Sequence, residues 1–175
     1  DKAFKTWGKS TPDERSKALK KAAAAVAARQ EELAKILCME HGKPLGDARK
    51  EIKGAIDTLE YYAEEARRIA GEVAPSKSAS MRSLVIRQPI GVVAAIAPWN
   101  YPVSLMAWKL APALAAGCTV VVKPPALAPL ACGMVAAIVG ESGLPDGAVN
   151  VVTGPSGQVG EEIIHNPITR MIAFT

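Results

Sequence analysis

The sequence is short of the groups that do most side-chain chemistry, holding two histidines and three cysteines in 175 residues. Cys38, Cys118 and Cys132 are widely spaced with no CxxC, which excludes a disulfide framework and a zinc site and points to a reducing compartment. Aromatic residues make up 5% of the chain, and no basic run is interleaved with stacking residues, so no nucleic-acid partner is expected. Apolar runs are broken by Pro, Gly or Lys before they reach spanning length, and no basic-then-apolar leader is present. No membrane partner is expected, and the reading is cytoplasmic. Also absent are a GxSxG elbow, a P-loop, an HExxH, a GxGxxG, and any Asp or Glu at the tips of the first strands. His41 and His165 sit near helix ends and read as capping or exposed groups. Cys118 and Cys132 read as small buried hydrophobes. These residues alone complete no catalytic centre and hold no metal.

What is present is a globular composition, 49% hydrophobic and 22% charged, on a length that carries one domain core. Lys+Arg 21 against Asp+Glu 17 gives +4, with the excess on solvated faces of the first helices. Thr11-Pro12-Asp13-Glu14 is a helix start, with Thr11 as cap, Pro12 in the first turn and Glu14 reaching back. Leu19, Ala22, Val26, Leu33, Ile36 and Leu37 follow as one buried stripe ending before Gly42. A second helix is expected from Asp47 to Ala70, then a loop from Pro75 to Ser80 and a strand from Met81 to Gln88.

From residue 91 the pattern alternates: apolar runs Gly91–Ile96, Thr119–Val122, Val149–Val152 and Met171–Phe174, joined by helices Val103–Ala116, Leu130–Glu141 and Gly157–His165. That is a parallel sheet covered on both faces, an α/β doubly wound class with preceding α-helices. The organisation is residues 1–72 as packing helices, 73–89 as a β segment and 90–175 as the sheet domain. The alternation calls for a loop and a helix after Thr175, so the sheet is expected to be incomplete and the sequence to be the N-terminal piece of a longer polypeptide.

Ligands of open parallel sheets bind outside the carboxyl ends of the strands. The loop Ala97-Pro98-Trp99-Asn100-Tyr101-Pro102 is stiffened by two prolines, and an amide held on it can meet a developing oxyanion. The alternative for Asn100 is a cap on the following helix. Lys123, ahead of Pro124-Pro125, is placed to meet phosphate or ribose hydroxyls, a solvated strand-end lysine being the alternative. Gly154-Pro155-Ser156-Gly157-Gln158-Val159-Gly160 opens a helix with glycines that permit close approach.

Ile96 to Pro102, then Trp108-Lys109-Leu110-Ala111-Pro112-Ala113-Leu114-Ala115-Ala116-Gly117, then Val121-Val122-Lys123-Pro124, in this order and spacing, resemble the NAD(P)-dependent aldehyde dehydrogenases. The resemblance extends through Glu40-His41-Gly42-Lys43-Pro44-Leu45, Gly143-Leu144-Pro145, Val149 to Val152 and Ile172 to Thr175. It implies a Rossmann-like sheet that binds its dinucleotide without the glycine fingerprint. Asn100 matches the oxyanion-hole asparagine, in place of a cap. Ala97, Pro98 and Trp99 match the loop beside the nicotinamide, Lys123 with Pro124 and Pro125 the ribose-binding segment, and Ser156, Gly157 and Gly160 the surface under the adenine.

Two departures bear on specificity. Many NAD-preferring members carry a glutamate where this chain has Ala126; losing it removes a like-charge penalty against a 2′-phosphate, so NADP or NAD is expected with NADP favoured. The N-terminal stretch is similar to succinate-semialdehyde dehydrogenases, but Trp108 stands where many of those have a carboxylate-binding arginine. The substrate pocket at Trp108 thus suits an unspecified aldehyde.

The family reaction passes through a cysteine thiohemiacetal, and none of the three cysteines here matches the nucleophile. The chain alone is expected to be inert, the parent enzyme to be a homo-oligomer, and the segment Met81–Gln88 to match part of its oligomerisation strands, with the strand's partner in later sequence. The competing reading is a non-catalytic homologue that binds nucleotide weakly or assembles with a complementary chain.

Overall fold

The computed structural model describes residues 1–175. A short helix α1 (Phe4–Trp7) precedes α2 (Pro12–Ala28), which begins with the expected capping box: Thr11 Oγ1 accepts from the Glu14 N–H, and Glu14 accepts from the Thr11 N–H. The expected single helix then breaks. Arg29 leaves helical geometry at φ −114 and ψ 16 and starts α3 (Gln30–His41). Because only this residue departs, the seven-residue step from Val26 to Leu33 survives, both residues stay fully buried, and periodicity does not register the break. Gly42 closes α3 at φ +81, donating to the Cys38 carbonyl at 2.9 Å.

Helix α4 (Leu45–Glu65) ends before the expected Ala70, and Ile69, expected on its buried stripe, is 40% exposed beyond the helix end. The strand expected over Met81–Gln88 shrinks to β2 (Ser83–Val85). It pairs antiparallel with β1 (Glu72–Ala74), a strand too short for periodicity to reveal. One edge of β2 is thus paired within this chain, by a strand just before the loop.

The main sheet is parallel: β3 (Val92–Ile96), β4 (Thr119–Lys123), β5 (Val149–Val151) and β6 (Thr169–Phe174), in the order β5-β4-β3-β6. Helices α5 (Pro102–Ala115), α6 (Leu130–Gly140) and α7 (Ser156–His165) make the crossovers. Strand β6 pairs on the far side of β3, so the chain after β5 returns past β4 and β3. The carboxyl ends of β3 and β6 therefore flank a topological switch, where a crevice forms.

One face of the sheet, through Val93, Ala95, Val120 and Val122, joins α2 to α6 in a continuous core of 39 buried residues. On the other face Val92, Ala94 and Val121 look across a cavity of about 420 Å³ to Val159 and Ile163 of α7. Cover on the first face is thus close over β3 and β4 but leaves Met171 50% and Val151 38% exposed on the edge strands, and on the other face it is confined to α7. No helix is long and apolar enough to cross a membrane.

A charged group sits within this packing. The Arg15 guanidinium donates to the Ser10 carbonyl at 2.8 Å and its hydroxyl at 3.0 Å, and burial lowers its pKa. Gly117 at φ +87 makes room for it, since a Cβ there would lie 2.6 Å from the Arg15 Cζ. A side chain at Gly117 would be strained by the backbone and would displace the cation.

Candidate functional site

The loops after β3 and β4, the start of α7 and the end of β6 enclose a cleft of about 640 Å³. Ala97, Pro98 and Trp99 form one wall, Lys123, Pro125 and Ala126 the floor, and Ser156 and Gly160 the other wall, with Phe174 and Thr175 alongside. Of the residues expected to contact the cofactor, Asn100, Pro124 and Gly157 are next to lining residues in the chain but outside the wall. Trp108 lies apart, 60% exposed, in a recess of about 360 Å³ that includes Lys50, Tyr101, Ser104 and Leu105.

Lys123 is not a solvated strand-end lysine. It is 5% exposed, and its ammonium donates within the chain only to the Pro124 carbonyl, at 3.2 Å. A buried ammonium with donors to spare fits an acceptor-rich ligand such as a ribose or a phosphate. A Cβ at Gly157 or Gly160 would touch no other part of the chain, leaving the start of α7 open to a flat ring. These features fit a dinucleotide.

Asn100 is exposed, and its carboxamide makes no hydrogen bond in the chain; Tyr101, not Asn100, occupies the N-cap position of α5 and makes no side-chain cap. The cap comes from Glu51 on α4, whose Oε1 accepts from the N–H groups of Val103 at 2.9 Å and Ser104 at 3.3 Å. Glu40 does the same for α6, accepting from Leu130 at 2.7 Å and Ala131 at 2.8 Å. A carboxylate at a helix N-terminus answers both the free donors and the dipole. Asn100 is thereby left free to face a ligand.

The sequence reading missed Glu51. The available signal was its place on the buried stripe of α4, between Ala48 and Ala55. Lys43 pairs with it and also donates to the Asn100 carbonyl at 3.1 Å, 4.5 Å from the Tyr101 ring centroid. His41 stacks on Trp99 with ring centroids 6.1 Å apart. Lys109, buried on α5, donates to the Leu105 carbonyl at 2.9 Å and to the Thr175 hydroxyl at 2.6 Å; burial lowers its pKa.

No thiol lines the cleft. Cys132 lies in the core, and burial, helped by the negative charges of Glu40 and Glu51, pushes its thiol up to about 12. It is a poor nucleophile near neutral pH. Iodoacetamide on the native chain near neutral pH is therefore expected to label half-buried Cys38 and to reach Cys118 and Cys132 only after denaturation. Peptide mass mapping checks this, and modification of Cys132 in the folded state would contradict its assignment to the core.

Comparison with known proteins agrees with this geometry. The succinate-semialdehyde dehydrogenase of Arabidopsis thaliana mitochondria is 43% identical over 173 residues, which cover 99% of this chain and 33% of that protein. The NADP(+) succinate-semialdehyde dehydrogenase of Escherichia coli is 42% identical over 175 residues, 100% of this chain and 36% of its own length. The crystal structure of succinate-semialdehyde dehydrogenase from Burkholderia pseudomallei superposes with a TM-score of 0.96 at 42% identity, covering 99% of this chain and 36% of that one. The chain spans about a third of the length of the relatives it matches. The model of the aldehyde dehydrogenase family matches residues 1–175, and with the fold in agreement, the chain belongs to the aldehyde dehydrogenase family.

Proposed function

We propose that this chain supplies the dinucleotide-binding face and the oxyanion donor of an enzyme that oxidises an aldehyde to a carboxylic acid with NADP or NAD. The observation that carries the reading is the buried Lys123, with unused donors, in the floor of a cleft that unites the loops after β3 and β4 with the open start of α7. The dinucleotide, when bound, supplies the hydride acceptor. Lys123 holds the adenosine ribose, Ser156 and Gly160 offer a surface to the adenine, and Pro98 and Trp99 border the nicotinamide end. The Asn100 amide donates to the aldehyde oxygen as negative charge develops there. The cleft wall contributes neither thiol nor carboxylate. The chain's roles are therefore binding and charge stabilisation, with no turnover expected from these 175 residues alone.

Ala126 is exposed at the floor of the cleft and brings no negative charge against a 2′-phosphate. The enzyme expressed from the complete open reading frame is therefore expected to favour NADP over NAD in kcat/KM. Ala126→Glu is expected to lower kcat/KM with NADP about 10-fold or more through like-charge repulsion, sparing NAD. Strong NAD selectivity before any substitution would overturn this preference. Trp108 and its recess offer apolar area, and Lys50 there is already paired with Asp47 at 3.1 Å. The substrate is accordingly an aldehyde with no required carboxylate, and succinate semialdehyde emerging as the best of a broad panel would overturn that assignment. The exposed Val73, Leu84 and Ile86 of the β1–β2 hairpin suit burial between subunits of a homo-oligomer.

A further inference from the structure

We propose that Lys43 and Glu51 are positioning residues for Asn100, forming a charged clamp that fixes the reactive loop to α4. The proposal rests on the reading of Asn100 as the oxyanion donor. The clamp grips the loop at both ends. Upstream, the Lys43 ammonium donates to the Asn100 main-chain carbonyl at 3.1 Å and lies 4.5 Å from the centroid of the Tyr101 ring. Downstream, Glu51 Oε1 accepts from the N–H groups of Val103 and Ser104, the first two donors of α5 after Pro102. The two halves are joined because Lys43 is ion-paired with the other carboxylate oxygen of Glu51. The Glu51 side chain is fully buried and that of Lys43 is 9% exposed.

A fully buried carboxylate needs compensation, and here an ammonium and a helix N-terminus supply it together. Ser104 Oγ donates to the Glu51 main-chain carbonyl at 3.3 Å, and Gly54 of α4 lies close enough that its Cβ would meet that hydroxyl at 3.6 Å. The two helices are thus in register at this point. Asn100 itself makes no side-chain hydrogen bond that would hold it in place. Its position is set through its backbone, and Lys43 is the one side chain that bonds to that backbone. An oxyanion donor is effective only when prearranged, and displacement by about 1 Å costs on the order of 100-fold in rate.

The test is a double-mutant cycle in the full-length enzyme, combined with amide hydrogen exchange across Trp99 to Ser104. Lys43→Met is expected to lower kcat about 10- to 100-fold with KM for aldehyde little changed. It should speed exchange in that segment about tenfold, and Lys43→Arg should restore most of the rate. In an Asn100→Ala background the same Lys43→Met change should cost nothing further in kcat. Glu51→Gln, which keeps an acceptor for α5 but removes the charge facing Lys43, should give an intermediate loss.

Additive losses in the cycle, or faster exchange without a fall in kcat, would overturn the clamp while leaving Asn100 its role. An Asn100→Ala enzyme with undiminished kcat would instead overturn the oxyanion reading, and the positioning role with it.

Discussion

An Asn100→Ala variant of the full-length enzyme is expected to lose about 100- to 1,000-fold in kcat, the usual cost of deleting one oxyanion donor. Its melting temperature should be unchanged. The two halves of this expectation have separate origins. The Asn100 side chain is exposed and makes no hydrogen bond in the chain, and Glu51 does the capping of α5 in its stead, so truncation removes no folded-state hydrogen bond. In the proposed role the amide would act only when charge accumulates on the aldehyde oxygen, so kcat should fall while KM moves little. A fall in stability with kcat preserved would return Asn100 to a structural role.

Leu114→Ala is expected to destabilise the fold by about 2–5 kcal/mol, lowering the melting temperature by about 5–15 °C for a domain of this size. Leu114 is fully buried on α5, the helix that touches α2, α4, α6, β3 and β4. Truncation there opens a cavity inside the core that α5 shares with those elements. Leu114→Met keeps most of the volume and should cost under about 1.5 kcal/mol. Thermal unfolding of the three proteins by circular dichroism decides the matter. Similar losses from Ala and Met would mean that shape, and not volume, governs this site.

Much of the fold was legible because its elements are long relative to the signals that mark them. The runs ending in Ile96 and Lys123 are flanked by Gly and Pro, so the four parallel strands fell within a residue or two of their places. The Thr11–Glu14 capping box is a local device, set by hydrogen bonds three residues apart. Arg29 was illegible because one non-helical residue between two helices leaves the apolar spacing intact. Strand β1 was illegible because three residues carry no period, and only pairing with Ser83–Val85 makes them a strand.

The same division runs through the site. Legible in the sequence were the α/β class, the order of the loops that would meet at the strand ends, and the motifs around Asn100 and Lys123 on which the family resemblance rested. Tertiary structure alone decided that Lys123 is buried with donors to spare, that Trp108 stands apart from the cleft, and that Glu51, 49 positions before Asn100, reaches under the loop to cap α5. The reason is physical: a motif records which groups a short stretch carries. Burial and charge pairing depend on what distant segments place beside them, and the helices before residue 66 supply those partners only once they pack against α5 and α6.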